Sequence, residues 1–339
     1  MSSAEYGFFS RLLHRVALGS PAVLRATMAM EHVKWKDEGF DSRIIAPVFI
    51  CGLARSGSTL LLNRLTATGA FSTSTYRHMP FVLAPNMWSG ASKSQRTQAQ
   101  AVERAHGDGM SHSFDSEEAF EEVFWRAVSQ KNVSQILPWN IQASQDVLSQ
   151  FRLFMTSVVK AGAGPRYLSK NNNNITRLPT LLKAAKTAQI VIPFRDPVAF
   201  VGSTLAQHEK FLAGHADNPF DAKYMAWLGH HEFGPYFKPA GAPGVTATEL
   251  VTPEYLCQYW ISVYSAVLEN THDQVHFFDY DTFCDQPAAK MTELGKALEL
   301  ENLTAPDGVH APRMYDSDGI DGETLRAAMK VHKLLTLRT

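Results

Sequence analysis

The sequence predicts an α/β protein with a mostly parallel central sheet covered by helices on both faces. Three observations predict it. Short apolar runs rich in β-formers recur at 47–51 (PVFIC), 189–194 (QIVIPF) and 275–280 (VHFFDY). Helical spacing follows them, as in Leu60, Leu61, Leu62 and Leu65 after the first run. Strands that alternate with helices require crossover connections, and so parallel pairing with both faces covered. Finally, 339 residues at 45% hydrophobic content can bury one large core with insertions, or two cores.

In chain order, residues 6–32 read as one or two amphipathic helices, broken near Gly19-Ser20-Pro21. Gly52 closes the PVFIC strand, and a helix follows from Ser58 to Ala67. Phe71–Tyr76 is a second strand candidate. Residues 89–115 are polar and read as an exposed cover. Helices are expected from Ser116 through Val128 and over Val147–Lys160. A short strand at Arg166–Ser169 precedes a helix over Leu178–Thr187. Pro197 sits where a helix starts, because its missing N–H costs nothing there. Residues 214–250, rich in Gly and Pro, read as an insertion. A helix over Pro253–Asn270, the strand at 275–280 and a helix through Leu298 complete the pattern. The expected organisation is one domain over 1–339: a helical segment at 1–45, a core at 46–300 with insertions near 77–164 and 214–250, and a tail at 301–339.

Composition narrows the function classes. Thirty-two Lys and Arg against 33 Asp and Glu leave a net charge of −1. Such a chain lacks the positive field of a nucleic-acid binder. No apolar run approaches the ~18 residues of a membrane span. The three cysteines cannot build a disulfide framework, which suits a reducing, cytoplasmic setting. Asn132, Asn174 and Asn302 begin Asn-x-Ser/Thr triplets and are read as chance matches. Oligomeric state is not encoded in any signal here.

The chemistry lies in two motifs. Gly52-Leu53-Ala54-Arg55-Ser56-Gly57-Ser58-Thr59 has the strand–loop–helix setting of a phosphate cradle, where backbone N–H groups face an anion. Gly52 and Gly57 keep the glycine spacing of a nucleoside-triphosphate loop, but Ser58 replaces its lysine. That argues against a nucleotide kinase. A cation, Arg55, sits inside the loop instead. The second motif is Arg195-Asp196-Pro197 with Ser203 on the helix beyond. A guanidinium fork and a hydroxyl suit a second phosphate. With an arginine at that strand end and no HExxH or paired CxxC, no metal site is expected.

GLARSGSTLLLNRL followed by IVIPFRDPVAFVGS resembles the sulfotransferases that use 3′-phosphoadenosine 5′-phosphosulfate (PAPS). The resemblance covers about residues 46–205, with an echo in HFFDYDTF at 276–283. Arginine inside the loop is more similar to the carbohydrate and tyrosylprotein types and to bacterial relatives than to the cytosolic aryl and steroid enzymes. The resemblance implies a three-layer fold of the P-loop type. It implies that Arg55, Ser56, Gly57, Ser58 and Thr59 hold the 5′-phosphosulfate, and that Arg195 and Ser203 hold the 3′-phosphate. Lys170 falls at the family's third-strand lysine and, with Arg55, is a candidate catalytic cation.

The implied reaction is metal-independent, in-line transfer of a sulfuryl group from PAPS to a hydroxyl or amine, carbohydrate among the acceptors. An inactive module that binds PAPS or adenosine bisphosphate is the alternative. The acceptor needs a base. Where the cytosolic enzymes place a histidine after the lysine, this chain has Asn172, which takes no proton. His78 is the first candidate, and His106, Asp108 and Glu118 are the others. The acceptor pocket is expected within residues 76–140.

Overall fold

Strand β1 (Val48–Ile50) is central, and its three residues are fully buried. This computed structural model describes residues 8–33, 45–91, 102–103, 111–112, 120–128, 135–217, 219–270 and 272–339. Helices α1 (Phe8–Gly19) and α2 (Pro21–Val33) precede β1 and break at Ser20, as the sequence predicts. After β1 come α3 (Ser58–Ala67), β2 (Phe71–Ser72), α4 (Pro85–Ala91) and a small antiparallel pair, β3 (Val102–Glu103) with β4 (Ser111–His112). Next are α5 (Glu122–Val128), α6 (Gln145–Ala161), β5 (Arg166–Lys170) and α7 (Leu178–Ala184). Strand β6 (Gln189–Phe194) leads into α8 (Pro197–Asp217), α9 (Pro219–Leu228) and α10 (Pro253–Leu268). Strand β7 (Val275–Asp279), α11 (Tyr280–Asp285), α12 (Pro287–Ala297) and α13 (Gly322–Thr336) end the chain.

The main sheet runs β2-β5-β1-β6-β7, and every pairing in it is parallel. Alternation along each strand divides the core between two layers. Val48, Ile50, Leu168, Val191 and Phe278 face α3 and α12 through Leu61, Leu65 and Met291. Phe49, Tyr167, Ile190, Ile192 and Phe277 face the opposite layer, where Phe151 and Phe154 of α6 and Trp260 and Tyr264 of α10 pack. The α/β class with helices on both faces is therefore the observed architecture.

The local differences have local causes. The second strand stops at Ser72, because Thr75 caps a 3₁₀ turn over Tyr76–His78. Helix α6 starts earlier than its apolar periodicity suggests, because the Ser144 hydroxyl accepts from the Val147 N–H at 3.3 Å. The final helical stretch is two helices: Pro287 opens α12 after Gln286 leaves helical geometry. The stretch read as a tail ends in α13, whose Ala328 and Leu335 join the α10 side of the core.

In an open α/β sheet, ligands bind beyond the strand carboxyl ends where strand order reverses. Here that point is β1, whose crossover to β2 runs to one side while β6 lies on the other. The segments that leave β1, β5, β6 and β7 all begin at this edge.

Candidate functional site

The loop after β1 is bent by its own backbone. Arg55 has φ 67° and Gly57 has φ 87°, both left-handed. At Gly57 a Cβ would run into the Tyr280 ring, so only glycine lets the loop enter α3 at that point. A non-glycine residue at positive φ costs free energy and is a common mark of a functional loop. Here the strain aims the Arg55 side chain across the sheet edge.

Its target is the second motif. Arg55 Nε donates to Ser203 Oγ at 3.0 Å, and Arg195 Nη1 donates to the Arg55 carbonyl at 3.3 Å. The Arg195 guanidinium lies over the Tyr280 ring at 5.4 Å. Asp196 is not a surface partner of its neighbour: its carboxylate accepts from the Ala199 N–H at 2.9 Å and caps α8. Its own N–H donates to Asp281. Arg195, Ser203, Ser56 and Ser58 are all buried. Arg195 Nε and Thr204 Oγ1 have no hydrogen-bond partner among the described residues. Buried polar atoms without protein partners call for a water, an ion or a ligand to satisfy them.

Lys170 ends β5, opposite Ile50 of β1, and is 9% exposed. Two residues on, Asn172 Nδ2 donates to Glu232 Oε1 at 2.7 Å. Sequence reasoning missed Glu232. Burial alone would raise its carboxyl, but His230, the charge of Lys170 and the Asn172 amide together hold it well below the usual carboxylate range. His230 Nδ1 lies 3.7 Å from its second oxygen, and the Glu232 side chain is 17% exposed.

Glu232 reaches the site because α9 ends in a particular way. Gly229 adopts φ 80°, its N–H donates to the Ala226 carbonyl, and the His230 N–H donates to the Met225 carbonyl. That paired arrangement needs a left-handed residue past the helix end, which glycine supplies. Asn173 Nδ2 then donates to the Gly229 carbonyl at 3.0 Å, and the Gly234 N–H to His208 Nδ1 at 3.2 Å. The turn carrying Glu232 is thereby tied to the residues after β5 and to α8.

A narrow cavity of about 30 Å³ lies between Leu53 and Ala54 of the loop, Asn172, Phe200, Thr204 and Glu232. That is room for a water or two, or for the functional group at the tip of a larger molecule. Leu137 is the one lining residue from the stretch in which the sequence placed the acceptor pocket. The others come from the loop after β1 and from beyond β5.

His78 is placed differently from the reading of it as a base. Its ring is buried, and Nδ1 accepts from the Thr75 N–H at 3.2 Å. It is not among the residues lining the cavity. Burial and the charge of Arg77 lower its pKa to about 4. His106, Asp108, Glu117, Glu118 and Asn132 lie outside the described residues. Asn174 is fully buried, and its amide donates to Glu121, so it offers no acceptor for a glycan.

The folded pKa of His78 lies below its unfolded value of 6.5. The folded state therefore binds fewer protons, and stability present above pH 6.5 is lost as pH falls toward about 4. The loss should approach about 3 kcal/mol. Thermal unfolding scanned across this range is expected to show it, with a shallower acid slope in His78→Leu.

Asp279, Asp281 and His332 form a group whose ligand atoms lie within 4.8 Å of one another. Asp279 already caps α11, accepting from the Asp281 and Thr282 N–H groups.

The sulfotransferase family profile matches residues 47–232, from the start of β1 through Glu232. The chain is a member of the sulfotransferase family. Its activity is sulfotransfer. Two of the solved structures that share the fold are sulfotransferases from mycobacteria. One is a sulfotransferase from Mycobacterium avium, with TM-score 0.54, 15% identity, and coverage of 98% of this chain and 86% of that one. The other is a sulfotransferase from Mycobacterium tuberculosis H37Rv, with TM-score 0.52, 12% identity, and coverage of 99% and 87%. No curated protein sequence matches this sulfotransferase. Among the described residues, no helix is long and apolar enough to cross a membrane.

Proposed function

We propose that this sulfotransferase takes its sulfuryl group from PAPS and delivers it, without a metal, to a hydroxyl or amine. The observation that carries the reading is the 3.0 Å bond from Arg55 Nε to Ser203 Oγ, which joins the two motifs at one sheet edge. Two anionic ends of one nucleotide need two such grips within a few ångströms of each other. Bound there, PAPS supplies an activated sulfuryl group and leaves as adenosine 3′,5′-bisphosphate.

The residues divide the work. Backbone N–H groups at Ser56, Gly57, Ser58 and Thr59 face the 5′ end, where a helix start favours anions. Arg195 and Ser203 take the 3′-phosphate, and the partnerless Arg195 Nε suits that task. Arg55 and Lys170 meet the charge that grows as the leaving group departs. Cations on the protein supply what a divalent ion supplies in phosphoryl transfer.

The same reading covers the chain's organisation. The chain is read as one sulfotransferase-like domain over 1–339, and the core at 46–300 is extended by Leu18, Leu24 and Met28 before it and by Ala328 and Leu335 after it. In support, α2 packs on α5 and α6, and α13 packs on α10. Three buried free cysteines accord with a cytoplasmic location.

Calorimetric titration tests the donor assignment. Adenosine 3′,5′-bisphosphate is expected to bind at least tenfold more tightly than adenosine 5′-monophosphate. Arg195→Ala should remove most of that preference, since a charged hydrogen bond contributes about 1.5–3 kcal/mol. Equal binding of both nucleotides by the unaltered protein would sink the reading.

A further inference from the structure

We infer that Glu232 is the catalytic base that takes the proton from the acceptor's hydroxyl or amine. This assignment rests on the donor reading above and adds the residue that the donor motifs do not supply. Asn172 stands where the resemblance to the cytosolic enzymes calls for a histidine, and an amide cannot accept the proton. The structure brings a carboxylate to that place: Glu232 Oε1 lies 2.7 Å from Asn172 Nδ2. The same carboxylate opens on the cavity bounded by Leu53 and Ala54, the residues just before Arg55. One side of that cavity is the loop that would present the sulfuryl group, and the other is a proton acceptor.

The surroundings suit the task. Asn172 orients one oxygen and His230 Nδ1 lies 3.7 Å from the other, so the carboxylate is fixed in place and keeps lone pairs for an incoming proton. The groups facing it include Lys170 at the end of β5, His230 and His231 on its own turn, Lys238 in the cavity wall and Tyr259 of α10. Lys170 couples the base to the donor. Its charge now favours the ionised carboxylate. An anion at the loop competes for that charge, and Glu232 then becomes more basic when the proton must move.

In the step itself, the acceptor's lone pair forms the new bond to sulfur. The bond from sulfur to the bridging oxygen breaks, and its electron pair leaves on the 5′-phosphate of adenosine 3′,5′-bisphosphate. The acceptor's proton goes to a Glu232 oxygen. His78 has no such place: it does not line the cavity, and its Nδ1 is engaged by the Thr75 N–H.

The test uses the full chain, labelled PAPS and acceptors taken from a screen of phenols, aliphatic alcohols and amines. Glu232→Gln is expected to lower kcat by 10²–10⁴-fold for weakly acidic acceptors, the usual span for a lost general base. The loss should shrink below about tenfold for 4-nitrophenol, which ionises by itself near neutral pH and needs little help from a base. Glu232→Asp should recover part of the rate. Adenosine 3′,5′-bisphosphate affinity should stay within about threefold in both variants, which also shows that they are folded. An equal loss for all acceptors, or no loss, overturns the assignment of Glu232. Absence of bisphosphate binding, or of transfer to any acceptor, in the unaltered protein overturns the donor reading instead.

Discussion

Lys170→Ala is expected to lower turnover by two to three orders of magnitude, the effect of removing one preorganised group from a developing charge. Adenosine 3′,5′-bisphosphate affinity should change far less, by about tenfold or under. The asymmetry follows from position. Lys170 is held at the last residue of β5 by its ladder with Ile50 and is 9% exposed, so its side chain has little freedom and little water around it. An ammonium fixed in such a place acts most strongly on charge that appears only in the transition state. On the proposed donor reading, Arg195, Ser203 and the loop N–H groups hold the ground-state nucleotide, which should lose little when the lysine goes. Lys170→Arg should not restore the rate, because a planar fork cannot occupy the space of a compact ammonium. Rapid-quench measurement of kcat beside calorimetric affinity separates the two quantities. Equal losses in both would make Lys170 a binding group only, and an unchanged kcat would remove it from the chemistry.

What the sequence reveals and what it hides differ by range. The loop from Gly52 to Thr59 was legible because its signals are local: an apolar strand, glycines at fixed spacing, then helical leucines. Arg195 and Ser203 were legible for the same reason, as a strand end followed by a proline-started helix. The meeting of the two motifs followed from parallel pairing of β1 with β6, which places both exits on one edge.

Glu232 was not legible. It lies in a Gly- and Pro-rich stretch read as an insertion, and it reaches Asn172 only because Gly229 turns the chain at the end of α9. Nothing in the spacing between positions 172 and 232 encodes that contact. His78 failed in the opposite direction. An imidazole that ordinarily titrates near neutral pH suggested a base, yet the ring is buried in a three-residue turn with its Nδ1 spent on the Thr75 N–H. The asparagine run was opaque for a third reason. Asn171 through Asn174 look like a solvated turn, but all four are buried, and their amides are committed to Glu121, Glu122, Gly229 and Glu232.

That buried network makes the other large prediction. Glu122→Ala should destabilise the fold by about 3–5 kcal/mol, because it strands a buried cation. Glu122 Oε1 accepts from Arg177 Nη2 at 3.0 Å, its Oε2 lies 3.0 Å from Arg177 Nη1, and Oε2 also accepts from Asn171 Nδ2 at 2.9 Å. Side-chain exposures of 5% for Arg177 and 11% for Glu122 leave little water to replace those contacts. Cation–π contact with Trp125 at 4.8 Å remains in the variant and recovers only part of the loss. Because Asn171 adjoins Lys170, and the Glu122 side chain fills the space beside Gly229, the same substitution loosens both the strand end and the turn that carries Glu232. Activity should therefore fall along with stability. Adding Arg177→Met removes the stranded charge and should regain a measurable share of the stability, since a well-packed apolar replacement of a buried ion pair is often neutral. Urea unfolding of the two single variants and the double variant measures this coupling. Strictly additive losses would show that Glu122 and Arg177 act independently, and that the tie between helix α5 and the segment after β5 is not electrostatic.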